Sequence, residues 1–123
     1  MAVRVLVADD ARFMRQLIRE IIEAEGFEVV GEAADGRAVV EEFARLHPDI
    51  VTMDIVMPKR SGIDAVREIL ALDATAKIAM VSALGQEALV MEALQAGASD
   101  YIVKPFKPDA VIATLRKVAE KER

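Results

Sequence analysis

The sequence has no cysteine and no tryptophan, and only one tyrosine and one histidine. Without cysteine there is neither a disulfide framework nor a thiolate metal site, a composition that suits a reducing cytosol. A lone histidine leaves no cluster for zinc. Long apolar runs are missing too. Hydrophobic residues make up 54% of the chain, but charged residues keep interrupting them. No stretch approaches the ~20 apolar residues that span a bilayer, and the N-terminus lacks a signal-peptide pattern. Positive charge is in deficit: 16 lysines and arginines against 21 aspartates and glutamates give a net charge of −5. That balance argues against binding nucleic-acid phosphates. Neither G-x-G-x-x-G after the first apolar run nor G-x-x-x-x-G-K-[ST] occurs, which argues against nucleotide binding of the Rossmann or P-loop type. The remaining expectation is an acidic, cytoplasmic protein whose partners are proteins or small ions.

At 123 residues the chain reads as one domain, 1–123. Its apolar runs alternate between two kinds. Val3–Ala8, Glu28–Ala33, Ile50–Met53, Ile78–Val81 and Tyr101–Val103 are short and rich in β-branched residues. Most are near-continuously apolar, as strands covered on both faces must be. Longer segments with helical spacing lie between them. Phe13, Leu17, Ile18, Ile21 and Ile22 form one stripe, with Gly26 where a helix end would want positive φ. Asp35 or Gly36 opens a second helix, which must end near His47 because Pro48 disfavours α conformation just before it. Ser61 with Asp64 starts a third as a capping box. A fourth runs from about Gly85 to Ala96 and stops at Gly97. Pro108 starts the fifth, with Val111, Ile112, Leu115 and Val118 inward.

Strands separated by single helices must be parallel, and right-handed crossovers then place helices on both faces. The expected fold is a doubly wound α/β domain, (βα)5. Periodicity leaves the strand order open; the flavodoxin-like order 2-1-3-4-5 is common for five strands. Ligands of such sheets bind beyond the carboxyl ends of the strands. In that order Asp9-Asp10, Asp54, Ser82 and Lys104, which end strands 1, 3, 4 and 5, converge on one edge.

Three carboxylates brought together repel, and at least one would have to take up a proton unless a hard cation joined them. Mg²⁺ favours one or two carboxylates with waters and phosphate oxygens. An acidic cluster beside a lysine and a hydroxyl suits phosphoryl transfer, which rests on positioning and charge neutralisation. Asp54, on the central strand end, is the candidate nucleophile, since a carboxylate can form an aspartyl-phosphate. Asp9 and Asp10 would hold the metal, and Lys104 and Ser82 the phosphoryl oxygens. Each residue taken singly has a plainer reading. The acidic pair could cap the first helix, Asp54 could be a loop aspartate, Lys104 a surface lysine and Ser82 a cap for the fourth helix. Their joint occurrence at neighbouring strand ends favours the site. His47 reads as structural or merely exposed, Met14, Met53, Met80 and Met91 as core filler, and Arg12 and Arg15 as tuning surface charge.

At these residues the sequence resembles the receiver domains of two-component response regulators along essentially its whole length. The resemblance rests on VLVADDARFMR, MDIVMPKRSGIDAV and VSALGQEALVMEALQAGASDYIVKPF. The last stretch resembles stand-alone CheY-like chemotaxis regulators. Those regulators are a standard example of the 2-1-3-4-5 order, so the order comes with the resemblance. The resemblance implies that Asp54 is the phosphoacceptor and also a metal ligand, and that Asp9 and Asp10 are the metal-binding pair. It also makes the backbone carbonyl of Val56 a ligand, Ser82 and Lys104 the phosphoryl-sensing pair, and Tyr101 the aromatic that reports the switch. It implies Mg²⁺ with Mn²⁺ able to substitute, a cis peptide before Pro105, and a monomer. The chain would be a phosphoacceptor catalysing its own phosphorylation and dephosphorylation, not a conventional enzyme. Its partners would be a histidine kinase and a protein target such as a flagellar motor switch, with no nucleic acid and no membrane. Two positions differ from many relatives: Ser82 where threonine is common, and Val56 where some chemotaxis regulators carry a polar side chain. A phosphorelay intermediate, or an interaction module that takes no phosphate, would share most of these features. A phosphatase using a nucleophilic aspartate would want a second acid where Val56 stands.

Overall fold

The computed structural model describes residues 2–121. Strands and helices alternate: β1 (Arg4–Ala8), α1 (Arg12–Glu23), β2 (Glu28–Ala33), α2 (Gly36–Leu46), β3 (Ile50–Asp54), α3 (Gly62–Leu72), β4 (Ile78–Ala83), α4 (Glu87–Ala96), β5 (Asp100–Lys104) and α5 (Pro108–Glu120). All strand pairs are parallel, and the sheet order is β2-β1-β3-β4-β5. The flavodoxin-like expectation holds.

Side chains of a strand alternate between faces, and that alternation splits the core in two. Leu6, Val51, Met53, Ile78 and Met80 pack with Val39, Phe43, Val66, Ile69 and Val90 from α2, α3 and α4. Val5, Val7, Ile50, Ala79 and Val81 pack on the opposite face with Ile18, Ile22, Val111, Leu115 and Val118 from α1 and α5. Each fully buried Leu, Ile or Val contributes on the order of 1.5–3 kcal/mol of transfer free energy.

Helix ends follow local chemistry. The Asp35 carboxylate accepts from the backbone N–H groups of Arg37 and Ala38, and Ser61 Oγ accepts from that of Asp64. Gly97, at φ 116°, ends α4 in a left-handed conformation costly for a residue bearing Cβ. His47, at φ 47°, is the C-cap of α2 and is exposed. The Lys104–Pro105 peptide is cis, as the resemblance implied.

Some boundaries and faces differ from the sequence reading. β4 runs to Ala83 and β5 spans Asp100–Lys104, each longer than its apolar run. Ladder pairing with a neighbour, not hydrophobicity, sets where a strand ends. α4 begins at Glu87, after a turn containing Gly85. Phe13 is 74% exposed and Met91 56% exposed, so neither is core. The buried stripe of α1 is set by Ile18 and Ile22, and Phe13 lies one residue round from the partly buried Met14. Likewise Met91 follows Val90, which already occupies the inward position of α4.

Candidate phosphorylation site at the strand ends

Asp9 directly follows β1 and is 1% exposed. Its backbone N–H donates to the carbonyl of Ala33 at 3.0 Å, and its Oδ1 accepts from the backbone N–H of Ala11 at 2.9 Å. The acidic pair does not cap α1: the N-cap is Ala11, which makes no side-chain cap bond. Asp10 is exposed. Asp54 ends β3, with a side chain 13% exposed. One carboxylate oxygen from each of Asp9, Asp10 and Asp54 lies within 4.8 Å of the others.

Lys104 reaches in from β5. Its Nζ donates to Asp9 Oδ2 at 3.1 Å and to Asp54 Oδ2 at 3.2 Å. The surface-lysine reading is therefore excluded. The backbone N–H of Val56 donates to Asp54 Oδ1 at 3.3 Å, while the Val56 side chain is 55% exposed.

Burial and the neighbouring Asp9 charge push the Asp54 carboxyl above its ordinary value, and Lys104 opposes them only in part. For Lys104, burial works against the ammonium, but the carboxylates of Asp54 and Asp9 outweigh it and raise its pKa. One ammonium thus pairs with two of the three clustered carboxylates and leaves the cluster short of positive charge. All three donors are hard oxygens at close range, a set that fits Mg²⁺ or Mn²⁺.

Ser82 and Tyr101 stand slightly apart. Asp54 pairs with Val81 across the ladder, so Ser82 lies one residue further along β4, buried. Its hydroxyl makes no hydrogen bond to Asp54 or Lys104 among the described residues. It caps nothing either, because the N-cap of α4 is Gln86. Tyr101, on β5, is 42% exposed. Ser82 and Tyr101 both line a groove of about 200 Å³, closed by Val90, Met91, Leu94 and Val103.

Arg15 corrects the sequence reading. Its side chain is only 15% exposed. Nη1 donates to the Asp9 carbonyl oxygen at 2.7 Å, and Nε donates to Glu32 Oε1 at 2.9 Å. The available signal was helical phase, since Arg15 directly follows Met14 at the edge of the inward stripe. Glu32, its partner, belongs to another strand.

Comparison with known proteins agrees along the chain. Residues 5–116 match the response regulator receiver domain. The chemotaxis protein CheY of Thermotoga maritima is 54% identical over 120 residues, covering 98% of this chain and 100% of the relative. CheY of Bacillus subtilis is 51% identical over 117 residues, covering 95% and 98%. Among solved structures, the CheX–CheY–BeF3–Mg²⁺ complex from Borrelia burgdorferi superposes with a TM-score of 0.91 at 38% identity, covering 97% of this chain and 90% of that one.

Proposed function

The chain belongs to the response regulator receiver domain family, and from that membership we propose that Asp54 is its phosphoacceptor. The protein is a phosphorylation-activated signalling switch of chemotaxis, supplied by a histidine kinase and read by a downstream protein. The convergence of three carboxylates with Lys104 at neighbouring strand ends carries the assignment. Asp54 is the member of that cluster on the central strand, and its carboxyl also accepts from the Val56 N–H.

In the transfer, an Asp54 carboxylate oxygen attacks the phosphorus of a phosphohistidine. The O–P bond forms as the P–N bond breaks, and the imidazole leaves with the electron pair. Asp9, Asp10, Asp54 and the Val56 carbonyl would hold Mg²⁺, which neutralises charge on the phosphoryl oxygens when bound. Lys104 already stands beside Asp54 and donates to a phosphoryl oxygen as charge develops. The Ser82 hydroxyl then turns toward the same group, and the Tyr101 ring can fill the groove beside Ser82. Output is contact with a protein target, for which a flagellar motor switch is our leading assignment. We place the protein in the cytoplasm as a monomer, with self-catalysed dephosphorylation resetting it. Val56 offers no polar group to orient the hydrolytic water, which favours a long-lived phosphoryl group.

The test is incubation with Mg²⁺ and acetyl phosphate, followed by intact mass measurement of the wild type and Asp54→Asn. A phosphoryl mass gain confined to the wild type is expected. An equal gain in both proteins would overturn the assignment. In a second arm, Val56→Asn is expected to shorten the phosphoryl lifetime severalfold, and an unchanged or longer lifetime would exclude the water-orienting argument.

A further inference from the structure

Arg15, in the first turn of α1, joins the residue that follows β1 to a side chain on β2. Its guanidinium lies at the top of α1, with Nη1 on the Asp9 carbonyl and Nε on Glu32 of β2. Glu32 is pinned in turn by Arg19, whose Nη2 lies 2.8 Å from Oε2. Burial alone would raise the Glu32 carboxyl, but hydrogen bonds and charge from Arg19 and Arg15 hold it below its ordinary value. Glu32 is therefore a firm anionic anchor on the edge strand. The acidic pair needs one. Asp9 and Asp10 lie where β1 turns into α1, and α1 begins there without a side-chain cap. A peptide rotation at Asp9 would swing both carboxylates.

We infer that Arg15 is a positioning residue for the acidic pair, orienting the Asp9–Asp10 turn for a divalent cation by tying the Asp9 carbonyl to Glu32. The planar fork suits this task, because Nε and Nη1 meet two acceptors on different elements at once. A lysine has donors enough but on one atom, without the fixed separation of the fork. The sign of the effect separates positioning from charge. Arg15 is a cation close to a cation site, so Coulomb repulsion alone predicts that removing it would tighten Mg²⁺ binding. Positioning predicts the reverse. Groups that orient ligands from behind typically change metal affinity about 10- to 100-fold when lost.

The inference rests on the reading that Asp9 and Asp10 bind the metal, and the experiment separates the two. Mg²⁺ is titrated calorimetrically into the unphosphorylated wild type, Arg15→Ala, Arg15→Lys, Arg19→Ala and Asp10→Ala, with folding checked by circular dichroism. Arg19→Ala loses a Glu32 ion pair but no contact to the acidic turn. Expected are loss of binding in Asp10→Ala, at least tenfold weaker binding in Arg15→Ala, a smaller loss in Arg15→Lys, and wild-type affinity in Arg19→Ala. Unchanged or tighter binding in Arg15→Ala overturns the inference, as do equal losses in Arg15→Ala and Arg19→Ala. If Arg15→Ala does not fold, Arg15→Lys decides: wild-type affinity there overturns the inference. Binding retained in Asp10→Ala overturns the metal-site reading, and the inference with it.

Discussion

The backbone carbonyl of Asp54 passes so close to Gly62 that a Cβ on Gly62 would lie 2.3 Å from its oxygen. The N–H of Gly62 also donates to the Ile55 carbonyl at 2.7 Å, so the start of α3 presses against the strand end that presents the nucleophile. Backbone cannot yield as a flexible side chain can. Gly62→Ala is expected to destabilise the fold by about 1–3 kcal/mol, the usual cost of overpacking. It should also slow phosphorylation, because relief of the clash displaces Asp54. Urea unfolding and acetyl phosphate kinetics check both, and wild-type behaviour in either would contradict the packing account.

Thr52, two residues before Asp54, is 1% exposed, and its Oγ1 has no hydrogen-bond partner. It pairs with Val7 on β1 and Ala79 on β4 in an otherwise apolar layer. An unsatisfied buried hydroxyl costs about 1–3 kcal/mol. Valine has nearly the same shape without that cost. Thr52→Val is therefore expected to raise stability by about 1 kcal/mol, read as a higher urea midpoint with an unchanged slope. A lower midpoint would mean that the hydroxyl is satisfied in solution.

The Asp54 carboxyl titrates above its ordinary value of 3.8, because it is buried and lies beside Asp9. A raised acid holds its proton more readily in the folded state, so folding is favoured while Asp54 stays protonated. That advantage is lost as pH rises from 3.8 through the folded-state value. At neutral pH the ionised group is thus a cost that Asp54→Asn lacks. With a chelator present, Asp54→Asn should be more stable than wild type at pH 7, and the gain should shrink toward pH 4. Added Mg²⁺ should narrow the difference at pH 7 by binding the folded wild type. Chelator-treated denaturation curves at the two pH values decide, and a gain that grows toward acid would reverse the sign argument.

The groove shared by Ser82 and Tyr101 offers room for the switch. Beryllofluoride with Mg²⁺, a phosphoryl mimic, should shift the Tyr101 ring and α4 amide NMR signals in wild type. Ser82→Ala should show only part of that shift. Moving a two-state equilibrium from mostly off to mostly on takes about 5.5 kcal/mol, more than the ~1 kcal/mol that one hydrogen bond supplies. Lys104 must therefore share the load, and the Ser82→Ala response should be reduced but not abolished. A full wild-type shift in Ser82→Ala would show that the hydroxyl is not the link.

Much of this protein could be read from local sequence because local chemistry dictates it. Alternating apolar runs required buried parallel strands. Asp35, Ser61, Gly97 and Pro108 marked helix ends through caps, positive φ and fixed φ. Asp9, Asp10, Asp54 and Lys104 could be assigned to strand ends before any pairing was known. What tertiary structure alone decided concerns residues that face partners distant in sequence. Helical period marks a stripe but not its exact edge, so Phe13 and Met91 turned outward once Ile18, Ile22 and Val90 filled the inward positions. Lys104 touches both Asp9 and Asp54 only because β5 lies beside β4 and reaches past it. Arg15 looked like one more surface charge, since nothing near it in the chain announces Glu32 as its partner. Side-chain type and spacing report what a residue can do within a turn or two. Which group it meets across the sheet depends on strand order and register, and these are set by packing the whole core at once.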